Sequence, residues 1–524
     1  KRYILATLNI VKQNHYQDSM KLMQISRELA SSPGVRRASA IMATEMNLKT
    51  LRDSRLIKTI PQSLCANDLI IAVEAESETA GHKALGKIDF SVTRSLGEAQ
   101  DTAKYQSFQE ALIPPGIPNI AVVSVPGEFA KLEVARAIKN NIHTFLFSDN
   151  LSIDEEIKLK RRAAHRGLLM MGPGCGTAII NGTSFGFANI VRQGSVGIVA
   201  AAGTGMQEVA SLIHNWGLGI SHGIGVGGRD LSEKVGGLMA IEAIKLLHKD
   251  KNTEIVVLVS KPAPIKVVRK IIETTRRGRK PLAICLLGES EIDEEENVFF
   301  TETLEELSAL AVNLTGGQSE KQIKISDTGL RRYARDFATK LNPSQKYVRG
   351  LFSGGTLCYE AQKILTSLLG KIYSNAPLSK DCTLADSLKS HGHCCLDLGE
   401  EEFTVGRPHP MIDYTLRNQR IIEEAKDPGT AVILLDIVLG YGSNPDPAGE
   451  LLPAIVQARE IAGKKNRTLA FIAHICGTDN DPQDLTSQKR KLRKNGVKIA
   501  ATNSQGARIA ALIAQLAQKT GERR

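Results

Sequence analysis

Between Gly167 and Asp230 the chain carries the residue types best suited to hold a negatively charged group. GLLMM reads as a short apolar strand followed by the turn GPGCGTAIING, and SVGIVAA reads as a second strand. After it, the turn residues Gly203, Thr204 and Gly205 lead into MQEVASLIHNWG, whose apolar residues recur at helical spacing. A helix start offers unpaired N–H groups and the positive end of the dipole, which attract phosphate or another oxyanion. Glycine lets a ligand come close because no Cβ intervenes. The same glycines also fit an ordinary strand-to-helix turn. Cys175 lies in the first turn, where backbone N–H groups would lower a thiol pKa. A second set sits in GRPHPMID, where prolines on both sides of His409 stiffen the backbone. Arg407 and Asp413 offer an oxyanion partner and an imidazole orienter, so His409 is a candidate general acid, base or phosphoryl acceptor. A rigid packing loop is the alternative. HGHCC at 391–395 has the wrong spacing for a closed tetrahedral metal site. Adjacent Cys394 and Cys395 on a strand point to opposite faces. Asp479 and Asp481, in the loop after a strand, could take Mg²⁺ or make an Asx-capped turn.

These residues need several domains to position them, because 524 residues exceed what one core serves. The net charge is +11, with basic clusters at 276–280, 464–467 and 488–494. No zinc-finger, RNP or KH signature accompanies them. Aromatics are only 4% of the chain, too few for base-stacking platforms. The reading is a solvated basic surface that also suits an anionic cofactor, without nucleic acid. Eight scattered cysteines do not make a disulfide framework. No apolar run reaches membrane-spanning length and no signal-peptide core is evident, which predicts a cytoplasmic protein.

From the N-terminus, ILATLNI, ASAIMATEM and NDLIIAVEA read as strands separated by helical stretches. NIAVVSVPGEFAKLEVARAIKNNIHTFLFSD reads as strand–helix–strand. Such alternation implies α/β architecture with parallel sheets and ligands beyond the carboxyl ends of the strands. The turns at Asp18–Ser19, Ala43–Thr44 and Val125–Pro126–Gly127 are therefore candidate contacts. No GxGxxG follows the first strand, so NAD binding is not expected. The expected division is 1–188, 189–322, a polar linker at 323–345, and 346–524.

The runs MGPGCG, SVGIVAAAGTGMQEV, GIGVGGRDL and EIVVLVSKPAP follow the order found in the α subunit of succinyl-CoA synthetase, which the chain resembles. MATEMN, FSDNLSIDEE, GGRDLSEKVGG and GRPHPMID bring it closer to the FdrA family of acyl-CoA-synthetase-like proteins linked to allantoin and purine breakdown. The resemblance implies a Rossmann-like CoA-binding domain followed by two flavodoxin-like ligase domains, the last similar to the end of the synthetase β subunit. It implies coenzyme A at Ser124, Val125, Pro126, Gly172, Pro173 and Arg229, with Cys175 lining the pocket. A salt bridge to a neighbouring domain is the competing account of Arg229. By the same resemblance, a phosphate, acyl phosphate or carbamoyl phosphate would lie between two helix starts. These are Gly203–Thr204–Gly205 and the turn carrying Gly440, Gly442 and Ser443.

The chain departs from the synthetases in two places. The loop after PLAICLLG reads ESEIDEEENVFF and lacks the histidine those enzymes phosphorylate, and Ser260 replaces the supporting glutamate. No ATP-grasp domain precedes the last domain. The resemblance therefore implies acyl or carbamoyl transfer through a phosphate anhydride, as in an oxamate carbamoyltransferase subunit. Its alternatives are an acyl-CoA ligase with an ATP-binding partner and a non-catalytic CoA-binding scaffold. Separately encoded partner subunits, a homo- or hetero-oligomer and a small-molecule substrate are expected.

Overall fold

A computed structural model of the chain describes residues 5–522 apart from 16, 18, 54–55, 58–63, 89–104, 106, 114–117, 126, 277, 289–295, 318–328 and 330. Asp18, Pro126 and most of the acidic run after PLAICLLG thus lie outside the described residues. Two compact units emerge: Lys1–Lys104 with Leu398–Glu423, and Tyr105–Asp397 with Glu424–Arg524.

The first unit corrects the expectation of a Rossmann-like domain beginning at residue 1. Its sheet has three strands, with Leu69–Ala75 in the middle and Ala6–Lys12 and Val35–Met42 antiparallel to it on either side. Strand–helix–strand alternation survives, but a third strand is inserted between the two parallel ones, a split βαβ arrangement. The central strand is apolar throughout because both of its faces are covered. Leu69, Ile71, Val73 and Ala75 pack with Leu22, Ile25 and Leu29, while Ile70 and Ala72 pack with Leu51, Leu56 and Ile57. A strand buried on both faces reads as a parallel one, which is why composition misleads here. The segment Leu398–Glu423 belongs to this unit. Met42 N donates to Gly406 O at 2.9 Å.

The second unit holds three sheets. Ile120–Val123, His143–Leu146 and Met170–Met171 are parallel and adjacent in that order, so the Rossmann-like part is confined to this short sheet. In the seven-stranded sheet, Gln193–Ala200 lies between Ile220–Gly225 and Ile255–Ser260, followed outward by Leu282–Leu286 and Val298–Thr301. The hairpin Thr177–Ile180/Thr183–Gly186 closes the other edge, which places it with the sheet of the expected second domain and moves that domain's start back from 189. The last sheet is parallel, with Tyr347–Phe352 between His393–Asp397 and Thr430–Val438, then Ala470–Cys476 and Lys498–Ala500. Both large sheets have the flavodoxin-like order that the resemblance implied. In each, strand order reverses at the first strand, so a crevice opens at its carboxyl end. Part of the expected linker is not a linker. Residues 331–338 are helical, with Ala334 and Ala338 buried and the Tyr333 and Phe337 rings 5.8 Å apart.

Candidate functional site

Helix Gly203–Asn215 leaves the reversal point of the first large sheet, and helix Gly355–Leu369 leaves that of the second. Neither start has a side-chain cap: the capping positions are Ala202 and Gly354. The orphan N–H groups that a Ser, Asp or Asn cap would ordinarily satisfy therefore have no partner from the capping residue itself. The two starts meet. Thr356 N donates to Thr204 Oγ1 at 3.3 Å. A Cβ on Gly205 would lie 2.9 Å from Thr356 Cγ2, and one on Gly354 would lie 3.0 Å from Thr204 Cγ2. Glycine is required for this approach.

Asp436, fully buried, fixes the second start by accepting from Ser353 N and Gly354 N, each at 2.7 Å. Lys261, just past strand Ile255–Ser260, brings its Nζ within 3.3 Å of where a Gly355 Cβ would stand, and Asp397 Oδ2 comes within 2.5 Å of that point. Sequence reading missed Gly354, Gly355, Thr356, Asp436, Asp397 and Lys261, although the glycine turn before an amphipathic helix at 353–369 was visible.

Gly440, Gly442 and Ser443 stand elsewhere. Gly440 (φ +105°) and Gly442 (φ +78°) let the loop lie against residues 187–189: Tyr441 N donates to Ala188 O at 2.8 Å. A Cβ on Gly440 would fall 2.4 Å from Ala188 O. The helix that follows, Pro447–Gly463, is capped by Asp446, which accepts from Gly449 N at 3.2 Å and pairs with Lys491 at 2.6 Å. The helix start that meets Gly203–Gly205 is the one at Gly355, through the Thr356 N–Thr204 Oγ1 bond, whereas this one is closed by its own carboxylate. Asn-Pro-Asp-Pro before that helix was the available signal for such a cap. Ser443 Oγ is buried without a hydrogen-bond partner.

Apart from Pro126, which lies outside the described residues, the positions expected to meet coenzyme A are gathered, with one exception. Ser124 and Val125 follow the strand Ile120–Val123, and Ser148 Oγ donates to Val125 O at 2.5 Å. Gly174 N donates to Ser148 O at 3.1 Å. Added Cβ atoms on Gly172 and Gly174 would stand 2.3 Å from Leu146 O and 2.2 Å from Asp149 Oδ1. These glycines let the turns pack against Leu146 and Asp149 at the carboxyl ends of three parallel strands, the edge where such sheets take ligands. Pro173 joins them through Gly227, whose Cβ would lie 2.7 Å from Pro173 O. Arg229 is the exception: it pairs with buried Glu156 at 2.9 Å and donates to Leu151 O at 2.8 Å. The domain-bridging account describes it. Lys160, fully buried, joins the same network through Asp230 and Glu156, both at 2.8 Å. Burial pushes the Cys175 thiol up to about 12, so it packs the turn as a neutral group.

His409, Arg407 and Asp413 fall in the first unit, with the antiparallel sheet. Burial, reinforced by Arg417, pushes His409 down to about 4, and its Nδ1 accepts from Met411 N at 3.2 Å. The neutral ring is thereby tied to its own turn, and Asp413 caps Thr415 N at 2.8 Å instead of orienting the imidazole. Asp479 pairs with His214 at 2.6 Å, and Asp481 accepts from Asn189, Ile190 N and Thr478 N, each at 2.8 Å. Both carboxylates hold the two large α/β domains together. In the HGHCC run, His393 Nδ1 accepts from Val348 N at 3.2 Å.

Comparison with known proteins assigns this architecture. A family model described as CoA-ligase matches residues 351–513, and one described as CoA binding domain matches 191–286. A third, described as AllF, heavy metal-associated domain, matches 6–108. The Escherichia coli (strain K12) protein YahF is 41% identical over 497 residues, covering 94% of this chain and 96% of YahF. The chain belongs to the YahF family. Succinate–CoA ligase subunit alpha 2 of Archaeoglobus fulgidus is 31% identical over 179 residues, 33% of this YahF-family chain and 61% of that subunit. ATP citrate lyase from Methanothrix soehngenii aligns with a TM-score of 0.34 at 12% identity, covering 79% of this chain and 85% of that one.

This YahF-family protein is thus an α/β enzyme of the acyl-CoA ligase type. The CoA-binding match falls on 191–286 and not within 1–188. The heavy-metal description of the N-terminal region does not fit its donors. Soft metals take thiolates, yet Cys65 is the lone cysteine of 6–108 and is exposed. Asp68 is consumed by Asn14 N and Cys65 N, both at 2.8 Å. Among the described residues no three His, Cys, Asp or Glu converge, and no helix is long and apolar enough to cross a membrane.

Proposed function

We propose that this protein is an FdrA-type acyl- or carbamoyl-transfer subunit acting through a phosphate anhydride, with carbamoyl transfer in allantoin breakdown as its specific role. The observation that carries this reading is the meeting of two uncapped helix starts, Gly203–Gly205 and Gly354–Thr356, from separate α/β domains. Their dipoles and N–H groups suit an anion that gains charge in the transition state, and Lys261 stands beside the second start together with the Asp397 carboxylate.

In the reaction proposed, a phosphate oxygen attacks the ureido carbonyl of oxalurate. The carbonyl–nitrogen bond breaks, oxamate leaves with the phosphate's proton, and carbamoyl phosphate remains. Neither ATP nor a phosphohistidine is required, in keeping with residues 289–295, which contain no histidine. Coenzyme A, if retained, would be held by Ser124, Val125 and the Gly172–Gly174 cradle and would supply a thiol acceptor for an acyl group. Mg²⁺ would enter with phosphate, since Asp479 and Asp481 are already engaged.

The test is to incubate the protein, alone and with separately encoded partner subunits, with oxalurate and phosphate, and in parallel with succinate, CoA and ATP. Carbamoyl phosphate in the first mixture is expected. Succinyl-CoA in the second, with nothing in the first, would replace this reading by an ATP-dependent ligase; ligand binding without turnover in either would leave a scaffold.

A further inference from the structure

The short parallel sheet of the second unit ends on an open strand. Ile120–Val123 is bonded on one side only, to His143–Leu146. His143 N and Phe147 N donate to Asn119 O and Val123 O at 3.0 and 2.9 Å, so alternate residues face that neighbour. The N–H and C=O groups of Ile120 and Val122 point the other way, and among the described residues nothing bonds them. Sheet edges are ordinarily blunted by a charge, a proline or a bulge. Ile120–Val123 reads IAVV and carries none of these, and Val122 is 59% exposed. Helix Gly127–Lys139 runs beside the same strand. Its Ala130, Val134, Ala137 and Ile138 are buried, and Lys131 pairs with Glu155 of the next helix, Ile153–Ala164, at 2.9 Å. At about 3.6 residues per turn, Phe129, Glu133 and Arg136 fall on the side away from that helix, toward the open strand. Phe129 is 53% exposed, and Leu132, which points outward, is 54% exposed. Glu133 and Arg136 pair at 2.6 Å and are partly solvated.

We propose that a second copy of this chain covers this edge, related to the first by a two-fold axis. The two Ile120–Val123 strands pair antiparallel through Ile120 and Val122, which joins two three-stranded sheets into one of six. A two-fold contact must be self-complementary, and both parts of this edge are. An antiparallel pair of identical strands uses the same outward groups on each side. The two helices then also run antiparallel, and Arg136 follows Phe129 by about two turns. Arg136 of one copy therefore falls beside Phe129 and Glu133 of the second copy, where a ring face and a carboxylate both attract a guanidinium. Leu132 meets its own counterpart near the axis. A uniformly acidic partner surface would oppose Glu133 with a like charge, and a uniformly basic one would oppose Arg136. A second copy offers both signs in the matching order.

The test is light scattering after size exclusion on the full chain, from low micromolar to about 100 μM. A species of twice the chain mass is expected. Leu132→Glu places two carboxylates at the axis, and Val122→Lys places a charge on the strand edge. Each should raise the dissociation constant of the dimer at least about tenfold. Both positions are exposed in the single chain, and thermal unfolding checks that each variant folds; if one does not, the other decides. Three results would overturn the proposal: a monomer at the highest concentration, wild-type dimer affinity in either folded variant, or a wild-type monomer that gains mass only with a separately encoded subunit. Neither substitution touches the helix starts, so none of these outcomes bears on carbamoyl phosphate formation there.

Discussion

Thr204 and Thr356, each the second residue of a helix in a different α/β domain, are joined by a 3.3 Å bond from Thr356 N to Thr204 Oγ1. Thr204→Val keeps the shape and removes the acceptor. It should cost about 1 kcal/mol in urea unfolding and reduce carbamoyl phosphate formation by more than the stability loss explains. Gly205→Ala is the harsher change, because its Cβ would lie 2.8 Å from Val259 Cγ1 and 2.9 Å from Thr356 Cγ2. Overpacking there should cost about 1–3 kcal/mol. Wild-type turnover in a folded Gly205→Ala variant would separate the two starts from the chemistry.

Asp446 closes the start of helix Pro447–Gly463. Its replacement by Ala should lower stability by about 1 kcal/mol and leave the affinity for phosphate unchanged, as read by calorimetry. A loss of phosphate binding instead would return Gly440–Ser443 to the anion site.

Glu360 is buried where helices Leu304–Leu314 and Asn503–Glu522 begin. It accepts from Leu304 N at 2.7 Å, Asn503 Nδ2 at 2.8 Å and Ser504 Oγ at 3.0 Å. Burial pushes its pKa up to about 7 from 4.5, and the nearby Glu208 adds to this. The native state therefore keeps a proton that the unfolded chain releases near 4.5. The stabilisation is complete below that pH and is lost as pH rises through about 7. Its slope is at most about 1.4 kcal/mol per pH unit. Burial lowers the His474 pKa, but its 2.7 Å pairing with Glu208 outweighs this and raises it on balance, which adds a loss of the same sign at higher pH. Glu360→Gln should flatten the dependence of unfolding free energy on pH between 5 and 7. An unchanged slope would show that Glu360 is already ionised in the native protein.

Cys175 and Cys65 differ in exposure. The first is buried with its thiol pushed up to about 12, and the second is exposed. Native protein treated with iodoacetamide at pH 8 should be labelled at Cys65 and spared at Cys175, as read by mass spectrometry. Rapid labelling of Cys175 would mean that the cradle around Gly172–Gly174 opens.

Much of this molecule was legible in its residues. Apolar strands, glycine turns and helical spacing identified the α/β alternation and the helix start at Gly203, because such signals lie within some fifteen consecutive residues, and the resemblance supplied the two flavodoxin-like domains. The packing of the N-terminal sheet was not legible, since Leu69–Ala75 is apolar for the same reason a parallel strand would be: both faces are covered. Nor was the partner of Gly203. The resemblance pointed to the turn at Gly440–Ser443, whereas the contact between Thr356 N and Thr204 Oγ1, 152 positions apart, puts the start at Gly355 there instead. Local sequence determines which elements form. Which of them face one another depends on burial and charge pairing between distant segments, and only the folded chain decides that.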